Sequence, residues 1–171
     1  APDPTGPGRY PAWTTFLLRQ LFKNQSFVEA YANRSADQMN SIFLPDRVAQ
    51  TVEEMKSVLE PELAHHFARW GGDLENWNRN LREQALYAVE RPPHLRQFIM
   101  EKFGISATAE VELNIDPPGA GTIMLNTLDI AAFPWSGTYF QGVPIQVTAL
   151  PNPGYRFEGW SGTISPNLAS T

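Results

Sequence analysis

His65 and His66 stand side by side, with Arg69 and Trp70 close behind, and are the first residues of this 171-residue chain that could do chemistry. Imidazole ligates metals and serves as a general base near neutral pH. The spacing is wrong for a shared ion, because adjacent helical residues diverge by about 100° while a ligand pair on one face stands four apart. One histidine facing a helical core and the other facing solvent is the simpler expectation. The carboxylates Glu53, Glu54, Glu60 and Glu62 raise the possibility of an acid–base pair. No apolar pocket is evident in the sequence to shift their pKa values, so a solvated helix surface is the expectation.

Phosphoryl transfer needs a loop or lysine that holds phosphate and a carboxylate that holds magnesium. Gly71-Gly72 and Gly119-Ala120-Gly121 are isolated turns with no following Lys-Ser/Thr, and Lys23, Lys56 and Lys102 stand singly on helices. There is no G-x-S-x-G elbow. The absence of cysteine excludes a disulfide scaffold, a thiolate zinc site and a cysteine nucleophile. Trp135, Tyr139, Phe140, Tyr155, Phe157 and Trp160 are the remaining candidates, as a platform for sugar rings. A module of this size needs aromatics to fill its interior, so core is favoured over platform.

The elements that would position these residues change character at Gly104. Before it, apolar residues recur at helical spacing. After it, Ala107, Ala109, Val111, Leu113 and Ile115 alternate with polar residues at the period of a strand. The expected fold class is α+β in two modules: a bundle of about six short helices, then a small antiparallel β sandwich-like module. Residues 1–12 form an extended arm or linker, residues 13–104 the helical module and residues 105–171 the β module.

Thr14 or Thr15 caps a first helix that stops at Asn24. Ser26 caps the second, with Glu29 completing a capping box. Pro45 breaks the run and Asp46 caps the third. Pro61 opens the fourth, which ends at Gly71-Gly72. Asp73 caps a fifth, and Pro92-Pro93 separates it from a sixth closed by Gly104. Trp70 and Trp77 are expected to anchor the helical core. Strands are expected over 107–115, 122–126, 143–149 and 155–160, with a looser segment over 129–142. The tail from Ser161 has little strand character, which would leave a bare sheet edge and points to a module cut short at its C-terminus.

Charge is uneven across Gly104. Residues 1–104 hold 12 Lys/Arg against 13 Asp/Glu, whereas residues 105–171 hold Arg156 alone against five acids. Without a basic footprint, nucleic acid is not an expected partner. No apolar run approaches the length of a membrane span, and residues 1–11 contain no signal-peptide core.

The helical half carries an ordered string: Leu21-Phe22-Lys23-Asn24 with Phe27, Tyr31 and Arg34; Pro61-Glu62 with His65-His66 and Arg69-Trp70; Trp77; Arg91-Pro92; Phe103-Gly104. This string resembles the C-terminal part of the spore-coat-protein-H-like (CotH) kinase family, over about residues 13–104. The β half carries Val111-Glu112-Leu113, Pro117 to Gly121, Val147-Thr148-Ala149, Pro153-Gly154-Tyr155, Phe157 and Gly159-Trp160. It resembles a divergent internalin B-type bacterial repeat.

The resemblance implies an atypical protein kinase that uses ATP and a divalent metal, and a secreted or cell-surface bacterial protein. It also implies that the nucleotide and metal residues lie upstream of Leu21, so no catalytic, cofactor-binding or metal residue is carried over. The expected function is a non-catalytic C-terminal fragment that supports the kinase lobe, partnered in cis by an N-terminal kinase region, with the repeat as spacer or surface contact. The alternative is a self-contained module that binds a glycan or a cell-surface protein.

Overall fold

The computed structural model describes residues 13–162 and the backbone of 168–170. The arm expected over residues 1–12 lies outside the described residues. The described chain is α+β, with helices first and small sheets after. It falls into two compact units. One gathers the described residues up to Asp37 with those from Lys102 onward, and the other runs from Gln38 to Glu101. Packing therefore cuts across the change of residue pattern at Gly104.

Among the described residues, five α-helices and one 3-10 turn stand where about six short helices were expected: α1 (Phe16–Leu21), α2 (Gln25–Met39), α3 (Pro45–Leu59), the 3-10 turn Glu60–Glu62, α4 (Leu63–Trp70) and α5 (Leu74–Phe103). The expected fifth and sixth helices are one. Pro92 and Pro93 lie inside α5, where each removes a backbone donor and would ordinarily break the helix. The apolar stripe Ala88, Pro92, Leu95 and Ile99 crosses them at spacings of four, three and four, and Ala88, Pro92 and Ile99 are buried. Burial of that stripe carries the helix through a locally unfavourable pair.

The caps also differ in detail. The side chain of Asn24, not Ser26, opens α2, accepting the Ser26 backbone N–H at 3.0 Å and the Ser26 hydroxyl at 2.7 Å. Pro45 is the first residue of α3 rather than a break before it, as its fixed φ allows. Asp73 does cap α5, its carboxylate accepting the Asn76 N–H at 2.7 Å. Gly104 (φ +68°) follows Phe103 in the left-handed conformation that closes a helix.

Phe22 is the hub of an aromatic cluster with Tyr31 and Phe103, at centroid distances of 5.1 and 5.0 Å. Apolar packing thereby ties the end of α1, the body of α2 and the last residue of α5. The expected bundle core around Trp70 does not form: Trp70 is 70% exposed, Trp77 is half-buried, and α3 and α4 bury no residue.

The β module holds two sheets. Strands β1 (Thr108–Leu113) and β4 (Trp135–Phe140) pair antiparallel, with Val111 opposite Gly137. The other sheet runs β3 (Leu128–Ile130), β2 (Gly121–Leu125), β5 (Ile145–Pro151), β6 (Leu168–Ser170). Strands β2, β3 and β5 are antiparallel, whereas β6 is parallel to β5.

Two expectations change here. The segment 129–142 was expected to be loose but supplies part of β3 and all of β4. Tyr155–Trp160, expected as a strand, is irregular. On the side of β5 away from β2, the first three residues, Ile145 to Val147, are paired by β6. The tail expected to lack strand character supplies β6, which pairs with Ile145 to Val147 of β5. The core follows the pleat: Ile123 and Leu125 are buried with Met124 exposed between them, and Ile145 and Val147 flank exposed Gln146. Ile130, Tyr139, Phe140 and Val143 complete it.

Candidate functional site

The sequence candidates do not converge. His65 and His66 are both exposed on α4, so neither faces a core; α4 has none to offer. Glu53 and Glu54 lie on the exposed surface of α3, where Glu53 pairs with Lys56 at 3.4 Å and Glu54 accepts from Gln50 at 2.9 Å. Glu60 and Glu62 are exposed in the 3-10 turn. Among the described residues no three His, Asp or Glu side chains gather in a way that could hold a metal ion.

The glycine turn Gly119-Ala120-Gly121 does not fit a phosphate cradle. Its carbonyls accept from Asn152, the backbone N–H reaching Ala120 at 2.8 Å and the side chain reaching Gly119 at 2.9 Å. Gly121 starts β2 so close to Leu150 of β5 that any Cβ would collide with the Leu150 carbonyl. These glycines serve sheet packing.

The aromatics divide. Tyr139 and Phe140 are buried, and Trp135 and Trp160 are half-buried. Tyr155 and Phe157 are exposed, at 50% and 44%. Phe157 stacks at a tilt on Trp160 with centroids 5.1 Å apart, and the Trp160 indole N–H is buried with no hydrogen-bond partner among the described residues. The core expectation therefore holds for the β4 pair and fails for the irregular segment.

The most developed polar site involves a residue that sequence reasoning missed. Asp37, near the end of α2, is fully buried and accepts hydrogen bonds at both carboxylate oxygens, at least two at each. Oδ1 accepts from the Tyr139 hydroxyl at 2.8 Å and the Asn126 amide at 3.2 Å. Oδ2 accepts from the Thr127 hydroxyl at 2.6 Å and the Thr127 backbone N–H at 3.1 Å. Arg34 in turn donates to the Thr127 hydroxyl at 2.5 Å, which brings a guanidinium within one hydroxyl of the buried carboxylate. A buried carboxylate is tolerable only with such a set of donors.

Apart from the Tyr139 hydroxyl of β4, these donors come from the two-residue turn joining β2 to β3. Asn126 occupies it at φ +48°, a conformation asparagine accepts more readily than most residues. Its backbone N–H donates to Gln146 and its side-chain oxygen accepts the Gln146 N–H, both at 2.8 Å, which holds the turn against β5. One signal was available in the sequence. Val28, Ala32, Ala36 and Met39 form a buried stripe on α2, and an acidic residue beside such a stripe must find donors when it is buried.

Within residues 38–101 there is also an open apolar groove of about 850 Å³, walled by Met39, Phe43, Val48, Val52, Tyr87 and Leu95. Glu83 and Arg91 stand on its polar side.

Residues 1–95 match the family described as CotH kinase protein. The chain belongs to the CotH kinase protein family. Residues 112–171 match the divergent InlB B-repeat domain, in the order the residue strings implied. The CotH match takes in residues 1–12 and ends within α5, while Asp37 lies inside it and its donors lie inside the B-repeat. No curated protein and no solved structure matches the chain. Among the described residues no helix is long and apolar enough to cross a membrane.

Proposed function

We propose that this chain is the non-catalytic C-terminal part of an exported bacterial CotH-like atypical kinase, and that its helices support the kinase lobe. The observation that carries this reading is the outward apolar surface of the helices from α3 to α5. Met55, Val58, Trp70, Leu86 and Val89 are all more than half exposed. Large apolar side chains in such number mark surfaces that other protein covers. ATP and a divalent metal belong, on this reading, to a kinase core upstream of Leu21.

Isothermal titration with ATP and magnesium tests the assignment. The chain alone should give no specific micromolar binding, while a polypeptide that also carries the kinase core should bind. Micromolar binding by the chain alone would place a nucleotide site within it and overturn the proposal.

A second reading is favoured by one observation. Tyr155 and Phe157 turn outward beside Trp160, an arrangement suited to stacking on a sugar ring. Here the chain acts at the cell surface as a glycan- or protein-binding module. Glycan-array binding that Trp160→Ala and Trp135→Ala abolish, with the fold intact, would favour it over a spacer role.

A further inference from the structure

We infer that α2 carries a dedicated receptor for the β2–β3 turn of the B-repeat, so that the repeat is docked onto the CotH-family helices rather than tethered to them. Three α2 residues make the receptor. Asn33 donates to the Pro144 carbonyl at 2.7 Å, Arg34 donates to Thr127, and Asp37 takes the donors from the turn and β4. At positions i, i+1 and i+4 they occupy neighbouring parts of the helix surface.

The chemistry of the contact is specific. Both oxygens of a fully buried carboxylate are satisfied from the repeat, by a phenol, a carboxamide, a hydroxyl and a backbone N–H. A repeat swinging on a flexible linker would exchange these hydrogen bonds for water, so the docked state gains the net worth of several hydrogen bonds to a charged group. The covalent link is a minor part of the attachment. Only Gly104 to Ala107 separate α5 from β1, and the helix end is fixed separately by Phe103 on Phe22 and Tyr31. The Asn126-Thr127 turn is thus the element by which this domain recognises its own repeat.

The test cuts the covalent link in the full chain. A protease site placed at Ile105-Ser106 is cleaved under native conditions and the product is run on size exclusion. The nicked wild-type chain should co-elute as one species. Asp37→Asn reverses the hydrogen-bonding character of one oxygen position, and its nicked halves should separate with at least a tenfold weaker association, the factor expected from losing one hydrogen bond to a charged group.

Separation of the nicked wild-type halves overturns the inference. So does co-elution of the Asp37→Asn halves with undiminished affinity. Should Asp37→Asn fail to fold, Thr127→Val replaces an exposed turn residue, keeps its backbone N–H and removes the hydroxyl that links Arg34 to Asp37. Its nicked halves should dissociate measurably faster than wild type, and an unchanged rate counts equally against the docking role.

Discussion

The B-repeat and the helices α3 and α4 are built from similarly apolar sequence and use it in opposite ways. The repeat buries its apolar residues: Leu125 and Val147 are fully buried, Ile123 and Phe140 nearly so, and Tyr139 is buried with its hydroxyl on Asp37 of α2. Helices α3 and α4 bury nothing, and Val58 and Trp70 are each at least 70% exposed. A strand's ladder neighbours satisfy its edges and align its inward side chains in one sheet face, which a second sheet or a helix then covers. A helix covers its apolar stripe only if another layer is laid on it. The comparison separates a region that buries its large apolar side chains from one that leaves them exposed.

The largest expected effect breaks the comparison outright if it fails. Leu125→Ala should cost about 2–5 kcal/mol, the range for emptying a buried leucine site. Met55→Ala on α3 should cost under about 1 kcal/mol in the same urea titration, since no buried contact is lost. Equal losses would show that α3 is packed as tightly as β2. Gly121→Ala comes next, at about 1–3 kcal/mol, because the new methyl meets the Leu150 carbonyl of a rigid ladder rather than a side chain that can move. Relief of that clash by a compensating β5 shift would appear as reduced hydrogen-exchange protection at Thr148 and Leu150, the β5 residues opposite β2.

These two sites also show what was legible in the sequence. The α+β class, the helix-to-strand change and the alternation in β2 and β5 follow from periodicity, because each side chain there answers to its own element. Asp73 as a cap and Gly104 as a terminator are legible for the same reason, since their partners lie within one turn. The failures involve partners distant along the chain. Pro92-Pro93 is a local break overridden by the stripe from Ala88 to Ile99. Tyr155–Trp160 alternates like a strand but joins no sheet, and part of the β5 edge is paired instead by β6, which comes later in the chain. The clearest alternation of all, in β1, belongs to a strand with no buried residue. Asp37 was missed because its partners lie about 90 to 100 residues away, and nothing in α2 by itself announces a hairpin.

A smaller effect sharpens the helical side of the comparison. Asp73→Ala removes the acceptor for the Asn76 N–H and should cost about 0.5–2 kcal/mol, readable as fraying of the first turn of α5 by hydrogen exchange. Asn at this position should restore most of the loss, because its side-chain oxygen accepts the same bond. A full loss with Asn would mean that the negative charge at the helix start, rather than the hydrogen bond, is what matters.

The smallest effect is the most discriminating. A tryptophan immediately before a helix-ending Gly-Gly reads as an anchor, and truncation of a buried one costs about 3–5 kcal/mol. Trp70 is instead 70% exposed, and its packing includes the Arg69 guanidinium 5.0 Å from the ring centre, a contact worth about 0.5–1 kcal/mol where water competes. Trp70→Ala should therefore cost about 1 kcal/mol or less in this chain. If the kinase core covers α4, the same substitution in a polypeptide carrying that core should cost several times more, because the indole is then desolvated against a second surface. Thermal unfolding of the two pairs separates the cases. A large loss in the short chain would show Trp70 already buried, whereas a small loss in both would remove α4 from the surface assigned to the kinase lobe.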